Sequence, residues 1–310
     1  MFWFAIVIAG YFFGALANIG DKFLLGSKRI SSPPVYAFYV GLFGLFAFIL
    51  APFGLTIPSS NVLIWCLVSG LIFAFGILLL FFAIEKAEAS RVTPVVGAVV
   101  PLATFFFSGI AGTETLGWLQ SFGIILLVLG GLLISFDLPL KIGKRKFFSG
   151  FHFAIGAGFF LAAAYLLFKN ISNQESSITW FITWYIWTRM GALAGAGLLL
   201  LVPIWRKNIF KSFHSAKKNK KQTISTGAFF LGNKTAGGIS TLLFNYAIGI
   251  GSVTLTNALI SIQYVFVLVL VSILHRTKAH IFQEKLLFWD WAQKVAAIFI
   301  IGVGIFLIYE

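Results

Sequence analysis

The sequence predicts an all-α integral membrane protein of ten transmembrane helices, arranged as two inverted five-helix repeats. Three observations carry that reading. The 310 residues are 59% hydrophobic and only 10% charged, with a mean hydropathy of +0.97, whereas soluble domains are about a quarter charged. The apolar residues come in runs close to the roughly 20 that a helix needs to cross a bilayer. The second half of the chain then repeats the order of features found in the first.

Helices rather than a barrel follow from the pattern within the runs. Barrel strands alternate apolar and polar residues over about ten positions, and stretches such as GIILLVLGGLLISF (123–136) and ALAGAGLLLLVPIW (192–205) do not alternate. In lipid, a non-barrel span must satisfy its backbone polar groups internally, which leaves the helix. Cutting the chain at its polar and turn-rich breaks predicts spans near 2–20, 35–54, 61–84, 92–112, 117–136, 149–168, 178–205, 225–250, 253–274 and 291–309. Ala15-Leu16-Ala17 in the first run resembles a cleavage box, but no basic segment precedes it, so the run reads as a retained span. The single cysteine, Cys66, falls inside the third span and reads as a small packing residue.

The connections fix an expected orientation. Of the 23 Lys and Arg residues, nineteen lie in connections that follow odd-numbered spans, and only Lys169 follows an even-numbered one. That asymmetry is the positive-inside signature; it predicts cytoplasmic odd connections and both termini outside. The formal charge of +14 is thereby assigned to loops facing anionic headgroups, with the run WRKNIFKSFHSAKKNKK (205–221) read as one cytoplasmic loop. No nucleic-acid module is recognisable.

The repeat is visible in several places. FFAIEKAEASRVTP (81–94) and NYAIGIGSVTLTN (245–257) close comparable apolar runs, and WLQSFGIILLVLGGLLIS (118–135) lies over WAQKVAAIFIIGVGIFLIY (291–309). AGYFFGA (9–15) lies over AGFFLAA (157–163). A five-span unit inverts its second copy, which is the plan of many secondary transporters, with substrate held near the midplane between repeats. The boundaries are residues 1–140 for the first repeat, 141–148 for a basic cytoplasmic linker and 149–310 for the second.

At ANIGDKFLL (17–25), AIEKAEASRVTPVVGAVVP (83–101) and GTETLGWLQSFGIILLVLGGLLI (112–134) the chain resembles the EamA-type family of the drug/metabolite transporter superfamily. The resemblance covers nearly the whole chain and implies ten helices around a central cavity, with export or exchange of a small solute. Two departures stand out: Gln263-Tyr264 takes the place of Pro101, and the Glu284 turn is longer and more basic than that of Glu114.

Candidate site residues come from charge and polarity inside spans. Arg189 and Lys234 lie some 14–17 Å along their helices at about 1.5 Å per residue, near the middle of a core about 30 Å thick. A charge there is expensive and reads as functional by default. Asn233, Asn257, Gln263 and Tyr264 are polar groups at similar depth, and Trp187 shares a face with Trp180 and Trp184. Together these form the expected substrate site. Asn233 and Lys234 face a cavity together only if their span opens locally, which Gly237-Gly238 would permit. All nine carboxylates are assigned to connections, span ends or the terminus. The site therefore reads as cationic, and the solute as an anionic or zwitterionic metabolite more than a cationic drug. Glu85, Glu88 and Arg91, three residues apart in turn, are read as a salt-bridged turn or a cytoplasmic gate. Gly191 and Gly195, with Gly123, Gly130 and Gly131, read as close-packing residues.

The alternative on the same scaffold is a flippase of a lipid or lipid-linked intermediate. An enzyme is not expected, because none of the four histidines joins a catalytic or metal-binding arrangement and no HExxH motif occurs. No cofactor is implied. The expected partners are the lipid bilayer and a small-molecule solute; a monomer suffices, since both repeats lie in one chain, and a dimer is the open alternative.

Overall fold

The structure, a computed structural model, describes residues 2–26, 32–86, 89–114, 116–135, 150–172, 178–215, 220–275 and 288–309. The linker 141–148 and Glu88 lie outside these residues, as does the side chain of Arg91. Every regular element described is helical. In chain order they are α1 (Phe2–Gly26), α2 (Pro33–Phe43), a 3₁₀ segment (Gly44–Phe53), α3 (Ser60–Lys86), α4 (Ala89–Ala111), α5 (Trp118–Ser135), α6 (Phe151–Ser172) and α7 (Ile178–Leu198). After a short 3₁₀ turn come α8 (Pro203–Ser215), α9 (Lys220–Ile250), α10 (Val253–Ala258), α11 (Ile260–His275) and α12 (Phe288–Tyr309).

The described residues of the ten apolar runs are almost all helical. By length and composition, six helices among the described residues can cross a membrane, or seven if a pair bent by 106° counts as one span. The outer surface agrees with a lipid solvent: Phe53, Phe106, Ile110, Phe299 and Phe306 are all more than half exposed. An apolar exterior on this scale is a liability in water. The chain is a multi-pass membrane protein built from apolar helices.

The bent pair corrects the sequence reading. Residues 205–221 were expected as a loop, yet Pro203–Ser215 is the helix α8, turned 106° away from α7. Proline explains the corner. It supplies no N–H to continue α7, and it drives the residue before it out of the helical region; Val202 sits at φ −84°, ψ 114°. The run 253–274 is likewise broken, at Leu259, into α10 and α11. Pro33 and Pro34 open α2, where their missing N–H groups are unneeded. Gly54, at φ +138°, ends the 3₁₀ segment in a conformation that side chains disfavour.

Small residues set the helix spacing, as expected from their pattern. A Cβ on Gly70 would lie 1.9 Å from the Thr188 carbonyl and one on Gly191 2.2 Å from that of Leu67, so α3 and α7 pack backbone to backbone. Gly123 and Gly130 face α12, and Gly131 instead meets Ser261 of α11. The helices that pack most extensively are α3 with α6 and α7, α5 with α12, and α1 with α9. The α1–α9 pair is antiparallel. Trp3 donates to the Ala247 carbonyl, Ser240 to that of Gly10, and Asp21 meets Lys234 at the far end.

Candidate functional site

A cavity of about 790 Å³ opens among these helices. Its wall draws on α1 to α4 and on α6, α7 and α9 to α12, so both halves of the chain contribute. Of the residues expected at the site, Arg189, Lys234, Asn257, Gln263 and Tyr264 line it, and Asn233 and Trp187 do not.

Lys234 does not stand as an unaccompanied cation. Its Nζ lies 2.7 Å from Asp21 Oδ1, with the two side chains 12% and 26% exposed. The same oxygen accepts from Tyr36 Oη and Asn233 Nδ2, each at 2.5 Å. The ammonium also sits 4.6 Å over the Tyr36 ring. The expectation that no carboxylate reaches this depth is therefore corrected. α1 runs on to Gly26, and its antiparallel packing carries Asp21, placed at a span end from sequence, level with Lys234. α9 is a continuous helix through Gly237-Gly238, not opened there. Asn233 is buried, does not line the cavity and donates to Asp21, which does.

Arg189 is different. Its guanidinium lies 4.8 Å from the Tyr185 ring and 5.0 Å from that of Phe73, stacked between two aromatic faces. Its Nε is buried with no hydrogen-bond partner, and no carboxylate pairs with it among the described residues. The aromatic wall continues from it: Phe73 to Tyr165 at 6.2 Å, Tyr165 to Phe244 at 5.0 Å, and Phe244 to Tyr11 at 5.6 Å between ring centres. Tyr11 donates to the Thr256 carbonyl at 2.7 Å, next to Asn257. That asparagine is 2% exposed and its Nδ2 has no partner. Ending α10 at Ala258 places it in the wall.

Gln263 and Tyr264 follow one another on α11. Tyr264 donates to the Thr93 carbonyl of α4 at 3.0 Å, and the contact needs the bare backbone of Gly97, where a Cβ would lie 1.7 Å from the phenol oxygen. Gln263 Oε1 also packs on a glycine, 2.8 Å from the notional Cβ of Gly14. Trp187 is held outside the cavity, its Nε1 donating to the Thr56 carbonyl at 3.2 Å. Glu85 is exposed on the last turn of α3, and neighbouring Lys86 lies 4.6 Å over Phe153.

Two features escaped the sequence reading. Lys294 of α12 is buried and lines the cavity. It lies close to a predicted span end, where a lysine gives no signal of depth. Glu114, placed only in a turn, caps the N-terminus of α10 across the two halves. Oε1 accepts from Val253 N at 2.7 Å, and Oε2 from Ser252 Oγ at 3.0 Å and Thr254 N at 3.2 Å. A carboxylate suits a helix N-terminus, whose N–H groups and dipole favour negative charge. The GTET stretch did show an acid at a turn, but not which helix it would cap.

No family model matches the chain. It is 33% identical over 79 residues to an uncharacterised protein of Methanocaldococcus jannaschii, a match covering 26% of this chain and 57% of that protein's length. A solved structure described only as that of a protein superposes with a TM-score of 0.60 over 98% of this chain and 96% of its own. At 14% identity that likeness concerns the fold alone.

Proposed function

We propose that this chain is a secondary-active transporter of the EamA type. In this reading it carries a small anionic or zwitterionic solute across the cell membrane by alternating access between two inverted five-helix repeats. Residues 1–140 and 149–310 form the repeats, both termini face outward, and the basic connections face the cytoplasm. The observation that carries the reading is the cavity: it is walled by both halves, and among the described residues its charged lining is Arg189, Lys234 and Lys294 against the single carboxylate Asp21. A wall of that balance favours an anionic group and disfavours an organic cation.

Part of the packing supports the repeat, although among the described residues the extensive α3–α7 contact has no comparable counterpart between α2 and α9. If each span corresponds to the one five places later, with α8 left out and α10–α11 taken as one, contacts should exchange in pairs. The α3–α6 contact has its counterpart in α1–α9, α4–α6 in α1–α11, α4–α5 in α11–α12, and α2–α3 in α7–α9. Contacts that map onto themselves, such as α5–α12 and α4–α10, are present too. Gly123 and Gly304 meet across one of these, each Cβ position about 3 Å from the other's carbonyl.

Proteoliposomes loaded in turn with single anionic, zwitterionic and cationic metabolites test the reading. Efflux above that of protein-free vesicles, saturable and accelerated by the same solute outside, is expected for at least one anion or zwitterion. Rates equal to the protein-free leak for the whole panel contradict transport; exchange confined to cations contradicts the charge assignment.

A further inference from the structure

The cavity has one cation stacked between rings and unpaired by any carboxylate among the described residues, and a long aromatic wall leading away from it. We infer that it is a binding site for an amphipathic monocarboxylate, with the carboxylate on Arg189 and a planar apolar body along Phe73, Tyr165 and Phe244. The inference rests on the transport reading only in taking the cavity as the solute's place, and it names the chemical class of that solute.

Geometry decides the orientation of Arg189. Tyr185 and Phe73 approach the guanidinium through their ring faces at 4.8 and 5.0 Å. A buried N–H without an acceptor is costly. Nε is one such group. A planar carboxylate meets a guanidinium edge with two parallel hydrogen bonds, a fit that neither a hydroxyl nor an amide reproduces. Asn257 supplies a second donor without a partner, on an independent element and 98% buried in the same wall. It suits an oxygen carried on the solute. Asp21, the lining carboxylate, is committed to Lys234, Tyr36 and Asn233 and does not compete for Arg189.

The lining argues against a small, strongly hydrated anion. Between Arg189 and Asn257 the wall runs through Phe73, Tyr165, Phe244 and Tyr11. Inorganic phosphate would lose its hydration there and gain one cation. A carboxylate with an aromatic or extended apolar body gains ring contacts and removes apolar surface from water.

The test is binding to the purified full-length chain in detergent, read by thermal shift and titration calorimetry. The probes are 4-phenylbutyrate, 4-phenylbutanol and inorganic phosphate, against wild type, Arg189→Gln and Arg189→Lys. The expected result is saturable binding of phenylbutyrate, at least about tenfold tighter than phenylbutanol or phosphate, the scale of one charge-assisted contact. Arg189→Gln should remove that advantage while still binding phenylbutanol, which shows that its cavity is folded; Arg189→Lys should retain part of it. Equal phenylbutyrate affinity in wild type and Arg189→Gln overturns the inference, as does phosphate binding as tightly as phenylbutyrate. Solutes carried by proteoliposomes in the absence of any phenylbutyrate binding overturn the inference and leave transport standing. Arg189-dependent phenylbutyrate binding without efflux of any solute leaves the site and overturns transport.

Discussion

Asp21 shows how one side chain changes the meaning of another. Lys234 alone in a membrane interior is a costly charge, but with Asp21 at 2.7 Å, and Tyr36 and Asn233 on the same oxygen, it becomes half of a neutral, hydrogen-bonded cluster. Removing one partner of a buried pair costs about 3–5 kcal/mol, and removing both costs far less, because no uncompensated charge remains. Asp21→Asn and Lys234→Met should each lower the unfolding temperature in detergent, and the double variant should recover most of the loss; a fully additive double variant would contradict the pairing. Glu114 invites a second test. Its carboxylate accepts from two backbone N–H groups and a hydroxyl at the start of α10. Glu114→Gln should cost about 1–3 kcal/mol, the range for a hydrogen-bonded charge. No change in the denaturation midpoint would mean that the cap is ornamental. At this scale the sequence marked Arg189, Lys234, Asn257, Gln263 and Tyr264 by polarity within apolar runs. It could not mark Asp21, because depth depends on how α1 slides against α9, a property of packing and not of either run.

Among elements, the apolar runs and their proline and glycine boundaries were legible, since span length and backbone satisfaction in lipid leave few choices. α8 was missed because a basic, polar-rich stretch gives no apolar periodicity long enough to count as a span, and helix is then decided by its neighbours. Ile209 is fully buried against α2, and Trp205 lies 6.1 Å from Phe82. Close approach between α4 and α11 gives the sharpest prediction here. Gly97→Ala should force Tyr264 from its place and cost about 1–3 kcal/mol by overpacking. Adding Tyr264→Phe, which removes the obstructing hydroxyl, should restore part of that. If Gly97→Ala unfolds at the wild-type temperature, the two helices are not in this register.

For the whole molecule, the question is whether the cavity is a place of passage. Both halves of the chain wall the cavity, and transport by alternating access requires that it open to each face of the membrane in turn. The most direct measurement is the accessibility of the cavity from each face of the membrane. Cys66 is the only cysteine and is fully buried. A Cys66→Ala background with Thr241→Cys on α9 or Ala74→Cys on α3 therefore carries one reporter in the cavity wall. Sealed vesicles of both orientations, treated with a membrane-impermeant maleimide, should label each reporter from either side, with the ratio of the two rates shifted by a transported solute. Labelling from one side only, at a rate no solute changes, would show a fixed pocket and contradict alternating access.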